Sequence, residues 1–336
     1  MMKLYAIMIT ILSLFLLLFP LAMSADKGSK TELTTAASSQ AQPTTFSETD
    51  ESEDAETVKV LRTQSGKVID VALYDYVIGC VAGEMPAYYE KEALKAQAVA
   101  CYTYARWITA NSDGGIRDYD VSDSPDKHQR YLDEQELKEK FGEKYDSYLS
   151  RIKECVNEVL GEFLTYDNEP IMACYHALSA GRTQSAKTVW GEDIPYLKSV
   201  KADGDELSPD FDQTVTFTEK QFKEKAEAAG IKTLADNSKN WFKITDKNKS
   251  GYVLKAKIGT ESFTGAEVRR ILSLDSAVFT FTYKNGSFTF KTKGSGHQIG
   301  MSQYCADYMA RQGKTYKEIL LHFYPGTTLT GNTLNK

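Results

Sequence analysis

The chain has 336 residues, 42% of them hydrophobic, with a formal net charge of −6. That length suits one large domain or two, and an acidic chain without a basic stripe excludes nucleic acid as a natural partner. Five cysteines, an odd and small number, exclude a disulfide scaffold.

Lys3 precedes an apolar run from Leu4 to Met23 that is long enough to cross a bilayer as a helix. The flanking charges place everything downstream outside the cytoplasm. Ala22-Met23-Ser24-Ala25 offers small residues for signal-peptidase cleavage. The length of the run favours a retained, single-pass anchor over residues 1–25. Residues 26–57 are mostly Ser, Thr, Gln, Ala and Lys and end in an acidic stretch, so they are expected to be a disordered linker. A catalytic domain is expected over 58–330.

Val58 to Leu61 and Val68 to Val71 read as a hairpin across Ser65-Gly66-Lys67. Asp75 onward leads into a turn at Glu84. Tyr88 to Ile108 has a helical pattern with an almost continuous small-residue surface, including Ala93, Ala96, Ala98, Ala100 and Ala105. Pro86 is placed in the first turn of that helix. Residues 111–130 read as a long loop, and Glu134 to Leu160 as a helix broken near Gly142. Phe163 to Tyr166 and Ile171 to Ala173 form an expected hairpin around Asn168, and 203–211 a polar loop. Cys80, Cys101 and Cys155 fall in apolar stretches and are expected to be buried and inert.

A mostly β insertion is expected at about 213–290. Strand signals fall at 214–217, 241–245, 252–258, 268–274, 278–283 and 287–292, with a helix capped by Thr218 between the first two. A helix follows from Ser302 to Arg311, and Thr315 with Glu318 makes a capping-box pattern for a last one. The fold class is therefore α+β: an alanine-rich central helix with flanking helices and antiparallel sheets, and a catalytic cleft between subdomains.

Polar groups among small residues concentrate in three places: Glu84, the segment Cys174 to Thr183, and the glycine-rich segment Gly294 to Gln303. Such segments suit close approach of a ligand to backbone. Glu84 is framed by apolar neighbours and glycines. Ordinary glycoside hydrolysis uses two carboxyls. A single dominant carboxyl suits a reaction in which the sugar's own hydroxyl attacks, the same residue acting first as acid and then as base. The acid must start protonated, which an apolar wall favours. A position at a helix N-terminus would favour the anion instead. Cys174-x-His176 with His297 or Cys305 has the spacing of a partial zinc site, and Cys174 with His297 could pair as nucleophile and base. Spacing alone carries neither.

Three blocks resemble the stage II sporulation protein D family of lytic transglycosylases. They are Tyr76 to Pro86 with Glu92 to Ala100; Tyr175 to Thr183 with Val189-Trp190-Gly191 and Pro195-Tyr196-Leu197; and Gly294 to Tyr304. Ile319 to Thr327 also fits. The resemblance implies cleavage of the MurNAc–GlcNAc bond in peptide-stripped peptidoglycan, leaving 1,6-anhydro-MurNAc ends during forespore engulfment. It places the catalytic acid on Glu84. It implies substrate contacts from Gln97, Tyr175, His176, Ser179, Arg182, Thr183, His297, Ser302 and Gln303. Implied partners are a sporulation amidase and an integral-membrane protein, at the mother-cell membrane facing the space around the forespore. A non-catalytic glycan-binding scaffold is the alternative. The family's usual Gly-His-Gly appears here as Gly296-His297-Gln298, and its His-Ser-Thr/Ser as His176-Ala177-Leu178-Ser179. Some relatives hold zinc through histidine and cysteine after the long helix. This chain offers His128 there and no cysteine between residues 102 and 154, so no metal or cofactor is expected.

Overall fold

The computed structural model describes residues 56–111, 118–232 and 234–331. The expected anchor, and the linker up to residue 55, lie outside them. Among the described residues no helix is long and apolar enough to cross a membrane.

The first hairpin forms as expected. β1 (Thr57–Arg62) and β2 (Lys67–Ala72) pair antiparallel, with Thr57 opposite Ala72 and Arg62 opposite Lys67. Gly66 supplies the positive φ of the turn. The chain then enters a helix that sequence patterning does not reveal, α1 (Leu73–Glu84), buried continuously from Asp75 to Gly83. A helix covered on all sides has no polar stripe, so its 3.6-residue period is invisible. Met85 ends it: a residue before proline avoids the helical region, and Met85 is extended at φ −116°, ψ 142°. Pro86 therefore stops α1 and does not open the next helix, which corrects the expected placement.

The alanine-rich segment becomes α2 (Lys91–Ala110), the central helix. Small side chains let neighbours approach closely, and α2 packs against α1 and the helices that follow. β3 (Val121–Ser122) joins β1 in parallel. α3 (Glu134–Phe141) is opened by an Asp133/Glu136 capping box and closed at Gly142, where a short 3-10 turn leads into α4 (Tyr145–Val159). β4 (Phe163–Tyr166) turns through Asp167 and Asn168, both at positive φ, into β5 (Glu169–Pro170). The expected second strand is thus shorter and earlier than 171–173. β6 (Tyr175–His176) and the short helix α5 (Ala186–Trp190) complete this half.

The β-rich stretch has its own core. β7 (Asp212–Thr218) leads into α6 (Glu219–Ala228) through a Thr218/Gln221 capping box. β8 (Phe242–Lys247), β9 (Val253–Ile258) and β10 (Glu261–Phe263) form one three-stranded sheet. The expected strand at 268–274 is a helix, α7 (Gly265–Leu272). Its β-branched content suggests a strand, but Thr264 and Glu267 form a capping box and Val268 and Leu272 bury one helical face. β11 (Phe279–Lys284) and β12 (Ser287–Lys293) pair with each other and, through β12, with β7. Phe217, Phe222, Phe242, Phe279, Phe288 and Phe290 fill the core between the layers, with Phe222 stacked 4.3 Å from Phe288.

β13 (Met301–Ser302) returns to the first core and pairs in parallel with β6. α8 (Gln303–Arg311), α9 (Tyr316–Phe323) and β14 (Thr328–Thr330) close the chain. The molecule is an α+β protein. Its five cysteines are all unpaired, and Cys80, Cys101 and Cys155 are buried as expected.

Candidate active site

Glu84 is the last residue of α1, not the start of a helix. The C-terminal end of a helix carries partial negative charge. The helix therefore disfavours the anion, the reverse of the effect expected from a helix N-terminus. Gly79 and Gly83, one turn apart, leave the face of α1 bare. A Cβ on Gly79 would lie 2.5 Å from Leu132 O, and one on Gly83 would lie 2.9 Å from Arg130 O. The segment Arg130 to Leu132 lies in that groove and brings the Arg130 amide to Glu84 Oε1, which it reaches at 2.5 Å. Lys140 Nζ caps α1 by donating to Ala82 O at 2.6 Å and Gly83 O at 3.1 Å. Burial raises the Glu84 pKa above the ordinary carboxyl value, against the Arg130 amide and the charges of Arg130 and Lys140.

Among the described residues three carboxylates are buried more deeply, Asp75, Asp205 and Asp307. Glu84 differs in being half-buried. It is perturbed yet still reachable by a ligand.

A buried polar chain connects this acid to the other blocks. Gln129 Nε2 donates to Tyr76 Oη at 3.0 Å and to Cys101 O at 3.1 Å. Its Oε1 accepts from Tyr175 Oη at 3.0 Å. Gln97 Nε2 reaches Cys101 Sγ at 3.2 Å, and Gln303 Nε2 reaches Gln97 Oε1 at 3.2 Å. The Glu84 charge contributes to raising the proton affinity of both Cys101 and Tyr175. Gln97, Tyr175 and Gln303 are thus brought into one network beside the acid.

The third block folds against the second through its glycines. Gly294, Gly296 and Gly300 all have positive φ. A side chain would meet Leu178 O at 2.6 Å from Gly294 and His176 Cβ at 2.8 Å from Gly296, and at Gly300 it would overlap Cys174 O. Gln298 keeps a glycine's backbone, φ 72°, at the position where the related motif carries glycine. Its buried side chain offsets that strain by accepting from Ala180 N and donating to Leu178 O, each at 2.9 Å.

His176 and His297 lie together, ring centroids 5.6 Å apart. His176 Nδ1 donates to Ile299 O at 3.0 Å, while its buried Nε2 has no hydrogen-bond partner among the described residues. His297 Nδ1 accepts from Ile299 N at 3.1 Å. Burial pushes the His176 pKa down to about 3 and that of His297 to about 4, so both rings are neutral near pH 7. Arg269 of α7 acts on both electrostatically. Its Nε donates to Asp275 O at 2.9 Å, and Asp126 lies within electrostatic range. The β-rich unit thereby contributes a cation beside the histidines.

Other predicted residues serve the frame. Asp205, in the segment read as a polar loop, is fully buried. It accepts from Ser179 N and Oγ at 2.9 and 2.5 Å and from Ser302 Oγ at 2.9 Å, joining the two blocks. Burial raises its pKa to about 7. Thr183 Oγ1 accepts from Val200 N at 2.9 Å, and Arg182 Nη1 donates to Ser199 O at 3.1 Å. Burial pushes the Cys174 thiol up to about 12, which disfavours a nucleophilic thiolate. Among the described residues no three His, Cys, Asp or Glu side chains converge to hold a metal. Sequence reasoning missed Gln129, Arg130, Lys140, Asp205 and Arg269. The first four sit in polar stretches indistinguishable from solvated loop or helix surface, and Arg269 sits in a stretch read as a strand.

Fold and site define an α+β protein in which one half-buried acid closes a helix beside a network drawn from three separated sequence blocks. The profile of the stage II sporulation proteins matches residues 62–166. Stage II sporulation protein D of Bacillus subtilis (strain 168) is 36% identical over 337 residues, covering 98% of this chain and 96% of that protein. Its counterpart from Bacillus amyloliquefaciens is 37% identical, covering 92% and 87%. The amidase enhancer of Bacillus subtilis is 28% identical over 75% of this chain and 40% of that protein. The chain belongs to the stage II sporulation protein D family, a family of sporulation proteins.

Proposed function

We propose that the protein is a lytic transglycosylase acting on peptide-stripped peptidoglycan strands during forespore engulfment. The observation that carries this reading is Glu84: one half-buried carboxyl with a raised proton affinity at a helix C-terminus. The Glu84 proton goes to the oxygen linking C1 of MurNAc to GlcNAc, and the C1–O bond breaks. The resulting carboxylate then takes the proton of the MurNAc C6 hydroxyl as O6 bonds to C1. The products are a 1,6-anhydro-MurNAc end and a GlcNAc 4-hydroxyl, with no water consumed. One carboxyl suffices because it returns to its starting state. The half-buried Arg269 suits a strand bearing muramyl carboxylates, which are exposed once stem peptides are gone. The catalytic part works outside the cytoplasm, held at the mother-cell membrane by residues 1–25, with an amidase and an integral-membrane protein as partners.

Similarity to a protein called an amidase enhancer favours a second reading, a glycan-binding scaffold that assists another enzyme. One experiment separates the two. Peptide-free glycan strands are incubated with the protein and with Glu84→Gln, and the ends are identified by mass spectrometry. Anhydro ends from the first and not the second are expected. Strands bound and left intact by both would leave only the scaffold.

A further inference from the structure

The Arg130 amide that meets Glu84 belongs to a segment without helix or strand, so something outside its own backbone must hold it. Tyr131 stacks on Tyr76 with centroids 5.6 Å apart, and Leu132 N reaches Gly79 O at 3.4 Å. The strongest anchor is Gln129. Its side chain is almost wholly buried, and its amide group bonds to three different elements: Tyr76 on α1, Cys101 on α2 and Tyr175 on β6. The Cys101 carbonyl can only accept, which fixes the orientation of the amide. The neighbouring peptide is then held with its N–H aimed at Glu84 Oε1. Among the described residues no protein donor reaches Oε2.

We propose that Gln129 is a positioning residue for the Glu84 proton. By locking the Arg130 amide onto Oε1 it leaves Oε2 as the oxygen that carries the mobile proton toward a ligand. The chemical half of this inference rests on the transglycosylase reading; the electrostatic half does not. A donated amide favours the carboxylate. It thereby opposes both burial and the helix end, which on their own would make the acid too reluctant to release its proton. The other titratable or charged groups acting with Glu84 are Cys80, Cys101, Tyr175, Arg130 and Lys140. Gln129 carries no charge, so its replacement alters Glu84 through geometry.

The test uses the full chain with 13C-carboxyl-labelled glutamate, the Glu84 resonance being the one lost in Glu84→Gln. Gln129→Met keeps length and removes all three hydrogen bonds. Tyr76→Phe removes one and serves if the first variant fails to fold. In both, Glu84 is expected to titrate at higher pH than in the parent. On peptide-free strands, kcat should fall about 10- to 100-fold for Gln129→Met with KM nearly unchanged, and the alkaline limb should move up with the titration. A Glu84 titration and pH profile unchanged in the folded variants, with only stability lowered, would overturn the proposal. If the titration moves but the parent releases no anhydro ends, the positioning role stands and the proposed reaction falls.

Discussion

Glu84 shows how one residue's chemistry depends on which end of a helix it occupies. In its proposed role of general acid it must hold its proton at the working pH. Burial and the C-terminal dipole act in that direction; the Arg130 amide and two cations act against it. The kcat/KM profile is therefore expected to lose activity with rising pH through a pKa above the ordinary carboxyl range. Replacing Lys140 by Met removes a cation that favours the anion, so the alkaline limb should move to higher pH in a pH–rate series. Asp205 affords a stability prediction. Its folded pKa of about 7 lies above the unfolded value of roughly 3.9. Between these values the folded state binds more protons, so stability falls as pH rises and levels off above the folded pKa. The loss is at most about 4 kcal/mol, from about 1.4 kcal/mol per pKa unit. Denaturant titrations of the parent and Asp205→Asn across pH 4 to 8 check this; the variant should lack that drop. The legible residues were those with an unusual local frame, Glu84 among apolar neighbours, His176 before a run of small residues and His297 among glycines. Gln129 and Asp205 were not legible, because only distant partners distinguish them from solvated residues.

At the scale of elements, the bare face of α1 decides where the acid ends up. Gly79 and Gly83 admit backbone where any side chain would intrude. Gly79→Ala is expected to lower stability by about 1–3 kcal/mol through overpacking and to lower activity beyond the loss of folded protein. Thermal melts with activity measured on the folded fraction read the two effects separately. Arg62 helps hold the same segment: it pairs with Asp123, Asp133 and, at 2.8 Å, Glu136, and lies over the Tyr131 ring. The first hairpin, the central helix, the Thr218 cap and the Thr315/Glu318 capping box follow local rules and were legible. α1 was hidden by its continuous burial from Asp75 to Gly83, and α7 by β-branched residues whose cap and buried face make a helix. Tertiary packing overrode propensity in both.

At the scale of the whole molecule, the described residues form two large hydrophobic cores and a small third cluster of Tyr252, Ala277 and Val278, and the candidate site draws on both large ones. The helical core carries Glu84 and the histidines, and the phenylalanine-rich core carries Arg269. On the proposed function, Arg269→Ala is expected to raise KM for peptide-free strands several-fold with little change in kcat, because it removes the cation proposed to meet muramyl carboxylates and not the acid. Steady-state kinetics on strands of defined length read this split. The β-rich unit enters and leaves side by side, with Asp212 opposite Lys293.

The pairing of Tyr175 with Met301 and of His176 with Ser302 also sets a timetable. The ribosome delivers Glu84 early, but the strand that pairs with β6 arrives only near the end of synthesis. Contacts so far apart in sequence form late. A growing or truncated chain that stops before Gly294 carries the acid and the Arg130 amide but lacks the strand that pairs with Tyr175 and His176. Under the proposed function, cleavage of the wall waits until the last part of the chain is in place.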